Sequence, residues 1–147
     1  MEPNNENRRF SEPVVTLLIK AGWYEERNVL SQLTLPLGFE HFKAADTILA
    51  EFGGLKIGEC GRGIERATSD LEIDPSLCDG LEGQLAEASD RRKVKLYPLG
   101  EVHHGHGCVI VDEIGIIYLL SDVLEKWADS FDEALEILLL GKKPKSS

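Results

Sequence analysis

The feature that most constrains the fold is a pair of apolar runs on either side of a tight turn. Cys108-Val109-Ile110-Val111 and Ile116-Ile117-Tyr118-Leu119 flank Asp112-Glu113-Ile114-Gly115. Aspartate opens a turn well because its short side chain accepts hydrogen bonds from the backbone ahead of it. Gly115 can take the left-handed conformation that a bulged hairpin loop requires. Both runs are almost continuously apolar, so the strands they form should be central and covered by helices on at least one face.

Helices are predicted on both sides of this hairpin along the chain. Ser11-Glu12-Pro13 combines an oxygen cap, an acid against the helix dipole and a proline in the first turn. Val14, Leu17, Leu18 and Ala21 follow at helical spacing, and Gly22 closes the segment. Trp23 to Gly38 is a linking segment containing Pro36. Phe42, Ala45, Leu49 and Phe52 then share one face of a second helix that Gly53-Gly54 stops. Near the end, Ser130 followed by Glu133 is a capping box; Phe131, Ala134, Leu135 and Leu138 line the helix behind it, and Gly141 ends it.

Strands fill the interval. Leu55 to Cys60 is a short candidate. In Arg66 to Ile73 the residues Ala67, Ser69, Leu71 and Ile73 alternate with Arg66, Thr68, Asp70 and Glu72, the period of a strand with one wet face. Asp74-Pro75 breaks that run. Gly80 to Arg92 reads as a loop entering a polar helix, and Val94 to Tyr97 resumes the sheet until Pro98-Leu99-Gly100. Helices, then a mostly antiparallel sheet, then a helix predict an α+β fold in one domain. That domain is expected over 11–141, with a disordered lead-in at 1–10 and a basic tail at 142–147.

Charge narrows the function classes. The formal net charge is −10, from 26 acidic and 16 basic residues. Ala67 to Asp90 holds seven acids and no Lys or Arg; Asp112 to Glu136 holds eight acids and one base, Lys126. Phosphate binding needs clustered cations, so this balance argues against a nucleic-acid ligand. It suits a basic protein partner, whose approach such a field accelerates. No apolar run approaches the roughly 18 residues of a membrane span. Met1 to Arg9 lacks the apolar core of a secretory signal, so a cytoplasmic location is expected. Three cysteines, Cys60, Cys78 and Cys108, in no C-x-x-C pair, argue against a disulfide framework and are expected as buried reduced thiols.

The residues that tempt a chemical reading are His103-His104-Gly105-His106 with Cys108. Imidazole and thiolate are good zinc ligands. Yet only His104 and His106, or His106 and Cys108, share a side if the segment is extended, and a full site needs ligands from elsewhere. A solvent-facing turn explains the cluster more simply, and no cofactor is expected. Asp112-Glu113 has a conformational reason to sit in a turn. Cys60 or Cys78 with His41 or His104 lacks an activating context for nucleophilic work. Gly58 to Gly63 is glycine-rich without the Lys-Ser/Thr of a phosphate loop. Arg91-Arg92-Lys93 reads as cations complementing a helix carboxyl end rather than as a nucleic-acid patch.

An ordered set of landmarks resembles a known family. Ala21-Gly22-Trp23 followed by Arg27 resembles the opening of the SUKH immunity proteins, specifically their third family. Gly38-Phe39, Phe42-x-Ala-Ala45 and Glu51-Phe52-Gly53-Gly54-Leu55 resemble its second helix and glycine exit. Asp74-Pro75, Tyr97-Pro98-Leu99-Gly100-Glu101, the Val111 to Tyr118 hairpin and Phe131 to Gly141 continue the match, over roughly Phe10 to Gly141. Tyr24-Glu25-Glu26 stands where the family usually has a proline-glycine turn. The resemblance implies a curved, largely antiparallel sheet with flanking helices. It also implies a bacterial immunity protein of polymorphic toxin systems, which occupies a cognate protein toxin, often a nuclease or deaminase, and is not an enzyme. The acidic residues placed as candidate partner contacts are Asp70, Glu72, Asp74, Asp79 and Glu82. The competing readings are a metal-binding enzyme centred on His103 to His106 and a scaffold or regulator of the same fold.

Overall fold

The computed structural model describes residues 9–33, 42–64, 68–78, 80–102 and 107–142. Four α-helices are present among them: α1 (Glu12–Ala21), α2 (Lys43–Phe52), α3 (Glu82–Arg92) and α4 (Phe131–Leu140). They flank a six-stranded sheet of β1 (Lys56–Ile57), β2 (Leu71–Glu72), β3 (Leu96–Val102), β4 (Gly107–Asp112), β5 (Ile117–Leu120) and β6 (Leu124–Ala128). The strands lie in sequence order and each pairs antiparallel with the next. The fold is α+β. Among the described residues no helix is long and apolar enough to cross a membrane.

The hairpin expected at the centre is there, with Val111 opposite Ile117 and Ile110 opposite Tyr118. Gly115 takes φ 99° and its N–H donates to the Asp112 carbonyl at 3.0 Å. Because side chains alternate across a strand, Val109, Val111, Ile117 and Leu119 face one way, and Cys108, Ile110, Tyr118 and Leu120 the other. The first set joins the main core with Val14, Leu18, Leu49, Phe52, Phe131 and Leu135 from α1, α2 and α4. The second set packs against Leu85 and Ala88 of α3, with Arg92 over the Tyr118 ring and Cys78 of the 3-10 turn Pro75–Cys78 against Cys108. Leu85 contributes about 2–3 kcal/mol by burial, and Ala88 about 1 kcal/mol. The α3 layer is therefore held far less tightly than the layer of three helices.

Helix boundaries follow their chemistry. Pro13 sits in the first turn of α1 and Gly22 closes it at φ 113°. Ser11 occupies the cap position, but its hydroxyl makes no cap bond; N–H and Oγ instead donate to Glu136 at 2.9 and 3.1 Å, tying α1 to α4. Ser130 does cap α4, accepting from the Glu133 N–H at 3.2 Å.

Several expectations need revision. β1 and β2 are only two residues each, although Ser69, Leu71 and Ile73 are buried and Thr68, Asp70 and Glu72 are not, as the alternation required. Arg66, Ala67, Gly38, Phe39 and the 143–147 tail lie outside the described residues. The sheet does not stop at Pro98-Leu99-Gly100; β3 runs through to Val102. Pro98 opposes Ile110 and Gly100 opposes Val109, so Leu99 is the extra residue of a bulge. A bulge interrupts the ladder where proline has no N–H to give. β6 was not anticipated: Leu124-Glu125-Lys126-Trp127-Ala128 carries two charges, and a register shift between Ile117 and Tyr118 spoils its alternation. Cys60 is exposed, contrary to the expectation of three buried thiols; Cys78 is buried and Cys108 half-buried.

Gly100 is the tightest point of the sheet. A methyl group there would collide with the Glu72 carbonyl of β2. Gly100→Ala is therefore expected to separate β2 from β3 and to destabilise the protein by about 3 kcal/mol, as overpacking against backbone does. Chemical denaturation followed by circular dichroism would measure it.

Candidate partner-binding surface

A surplus of acid matters to a partner only where the carboxylates are not already spent on the fold. The Asp112 to Glu136 stretch is largely spent. Asp112 is 1% exposed: its Oδ1 accepts from the N–H groups of Ile114 and Ile116 at 2.9 and 3.0 Å, and its Oδ2 from the Tyr118 hydroxyl at 2.7 Å. Burial and that hydrogen bond push the Tyr118 hydroxyl up to about 12. Glu113 accepts from the Lys95 N–H at 3.0 Å. Asp129 pairs with Lys126 at 2.7 Å, Glu133 accepts from the Asp129 N–H at 3.3 Å, and Glu136 holds Ser11. These carboxylates shape turns and helix ends.

Asp132 belongs to a junction that sequence reasoning missed. The Arg9 guanidinium donates to Asp132 at 2.6 and 2.9 Å and forks onto both oxygens of Glu51 at 2.7 and 2.8 Å. It lies over the rings of Phe10 and Phe52, 4.8 and 5.6 Å from their centroids. Trp23 Nε1 adds a third donor to Glu51 at 2.9 Å. Arg27 donates to the carbonyls of Glu51 and Gly53 at 2.8 Å each, filling acceptors that the end of α2 leaves open. Trp23 and Arg27 therefore fasten the N-terminal segment to α2. Glu26 sits at φ 67° in the intervening turn, a left-handed conformation that favours glycine.

Beside this junction α1 and Trp23 to Glu26 enclose a groove of about 950 Å³. Ile19 and Tyr24, each 59% exposed, stand at its edge with Glu12, Glu25 and Glu26. It lies on the layer that holds α1, α2 and α4.

Of the Ala67 to Asp90 acids, Glu72 lies on the other face of the sheet. Leu71 and Val102 oppose each other in the main core, so Glu72 and its cross-strand neighbour Glu101 point away from it. Like charges directly opposite on adjacent strands are destabilising, which makes this pairing a cost that the fold carries. Glu72 has a distant cation in Lys56 at 3.8 Å and keeps 38% of its side chain exposed. Asp74 lies close enough to act electrostatically, together with Glu101, on the Cys78 thiol between them. Its Oδ1 accepts from the Ser76 N–H and hydroxyl at 3.0 and 2.7 Å, so Asp74 also sets the 3-10 turn Pro75–Cys78. Asp70 lies 3.4 Å from the Cys60 sulfur, and Glu82 begins α3. Asp79 lies outside the described residues. The structure thus brings Glu72 and Asp74 together with Glu101, which the sequence marked only as part of a landmark.

The metal candidates fare differently. His103, His104 and His106 lie outside the described residues. Among the described residues, no group of three His, Cys, Asp or Glu side chains is placed to hold a metal ion. Cys108 is in contact with Cys78, the sulfurs 3.2 Å apart. The Cys78 thiol is raised chiefly by its hydrogen bond to Cys108, and Cys108 is lowered by accepting it. The basic run is also engaged: Arg91 and Arg92 form the last turn of α3, and Arg92 lies 5.1 Å from the Tyr118 ring centroid and donates to the Leu124 carbonyl at 3.1 Å.

The protein is thus an antiparallel sheet with three helices on one face and a single helix on the face that carries Glu72 and Glu101. The family model described as SUKH-3 immunity protein matches residues 10–141, and the chain belongs to that family. No curated protein and no solved structure matched the chain.

The Arg9 junction generates a pH dependence. Burial of Glu51 favours its neutral form, but hydrogen bonds from Arg9 and Trp23 and the Arg9 charge outweigh it and hold the carboxyl below its ordinary 4.5. A carboxyl depressed in the native state contributes stability above that ordinary value and loses it as pH falls through the native one. Denaturation midpoints should therefore fall on acidification below about pH 4.5. Arg9→Met should lower the midpoint at neutral pH and flatten this acid limb, as urea titrations at several pH values would show.

Proposed function

We propose that this protein neutralises a cognate bacterial toxin in the cytoplasm by occupying it, without catalysis, and that the toxin is a nuclease or another nucleic-acid-modifying domain. Membership of the immunity family over 10–141 carries the first part. The pairing of Glu72 with Glu101 on the face away from the main core supports the second. Enzymes that hold phosphates carry basic clefts, and a carboxylate row can stand in such a cleft where the phosphates would lie. Glu72, Asp74 and Glu101 form that row in this reading, and Asp70, Asp79 and Glu82 are further candidate contacts by their nearness in sequence. The fold tolerates the Glu72–Glu101 opposition although it gains nothing from it, as expected where like charges serve a partner rather than the sheet. Neither a nucleic acid nor a membrane is a ligand in this reading.

Affinity capture from the native host, read by mass spectrometry, should recover one toxin domain at near-equal stoichiometry. Its binding should weaken as salt rises, because the contacts are solvent-accessible charges. Reversal of Glu72, Asp79, Glu82 and Glu101 to lysine should leave the circular dichroism spectrum unchanged and weaken toxin binding roughly tenfold or more, about 1.4 kcal/mol. Tyr24→Ala and Ile19→Ala, on the opposite layer, should leave affinity unchanged. Unaltered affinity of the lysine variant, with loss at Tyr24 and Ile19, would move the interface to the α1 groove and remove the nucleic-acid mimicry.

A further inference from the structure

Two cysteines that are 30 positions apart in sequence meet beside Glu101. Cys78 ends the 3-10 turn Pro75–Cys78, is 1% exposed and lies with its sulfur 3.5 Å from the Gly100 carbonyl. Cys108 is the second residue of β4 and opposes Glu101 on β3. Their sulfurs are 3.2 Å apart, whereas the third cysteine, Cys60, is exposed and lies by Asp70. We propose that Cys78 and Cys108 form an oxidisable dithiol, a modification site that an oxidant of the hydroperoxide class converts to one intramolecular disulfide.

The geometry makes the bond accessible. A disulfide holds its sulfurs about 2.05 Å apart, so the pair, now at 3.2 Å, must close by about an ångström. The backbone on either side is already held: the 3-10 turn packs on β3, and β4 is hydrogen-bonded between β3 and β5. Exposure assigns the order of events. Cys108 is half-buried and open to a small oxidant, while Cys78 is enclosed.

The peroxide transfers one oxygen to the Cys108 sulfur, giving a sulfenic acid and releasing a first water. The Cys78 sulfur then attacks the Cys108 sulfur; the S–S bond forms, the S–O bond breaks, and the departing hydroxyl leaves as a second water with the Cys78 proton. Two thiols give up two electrons in total and the peroxide takes both. The product ties the turn set by Asp74 to the central strand β4, next to Glu101. Reduction by a thiol restores the free pair.

The test uses the full-length protein in its folded state, treated with hydrogen peroxide, and does not depend on any toxin. Intact mass should fall by about 2 Da and recover with dithiothreitol, as two-electron loss from a thiol pair requires. The titre of thiols in denaturant should fall from three to one, and proteolysis should release a peptide joining Cys78 to Cys108 with Cys60 unlinked. The oxidised protein should also unfold at a higher denaturant concentration, since the bridge restricts the unfolded chain. Cys108→Ser should abolish the mass loss. Addition of about 16 or 32 Da without a joined peptide would overturn the proposal. So would a bridge that includes Cys60, a dimer, or no reaction in the folded state.

Discussion

Strands β4 and β5 are apolar on both faces, and burying them twice is the demand that organises the rest. The face of Val109, Val111, Ile117 and Leu119 receives three helices drawn from the two ends of the chain, and these meet through Phe10, Phe52 and Phe131. The opposite face, with Ile110, Tyr118 and Leu120, receives one polar helix with two buried residues. The 3-10 turn Pro75–Cys78 adds to this cover by placing Cys78 against the Gly100 carbonyl and Cys108. Glu72 and Glu101 lie on this more lightly covered face, which is the surface proposed for the partner.

Electrostatics follows the same division. In the main layer, carboxylates meet donors: Glu51 and Asp132 share Arg9, and Glu136 holds Ser11. These bonds tie the N-terminal segment to α2 and α4. Beyond β2 the carboxylates have fewer cations, with Lys56 reaching Glu72 only at 3.8 Å. Net charge alone would not distinguish these two populations, because both stretches of sequence carry the same excess of acid. Their difference lies in what the fold brings within hydrogen-bonding distance.

The bulge at Pro98 to Gly100 links the sheet to both surface features. By adding Leu99 it shifts the alternation of β3, so that Tyr97, Leu99 and Val102 all enter the main core. Glu101 is thereby turned outward opposite Glu72. Gly100 lets β2 and the following turn approach β3 closely, and Cys78 arrives against the Gly100 carbonyl and the Cys108 sulfur. One proline and one glycine thus set the carboxylate row and the thiol contact together.

The sequence by itself determined the α+β class, the central hairpin and the ends of α1, α2 and α4, because these depend on period, turn chemistry and capping within a few residues. The ordered landmarks also located the family. Tertiary structure decided that Asp132 and Glu136 are engaged, since their donors on Arg9 and Ser11 come from the far end of the chain. It decided the partners of Arg9, which lie 42 and 123 positions away, and the meeting of Cys78 with Cys108. β6 and the continuation of β3 past Pro98 were likewise hidden, because a bulge breaks the two-residue period on which strand recognition rests. Local propensity is written in the order of neighbours along the chain, whereas contacts across a sheet depend on register, and register is settled only when both cores close.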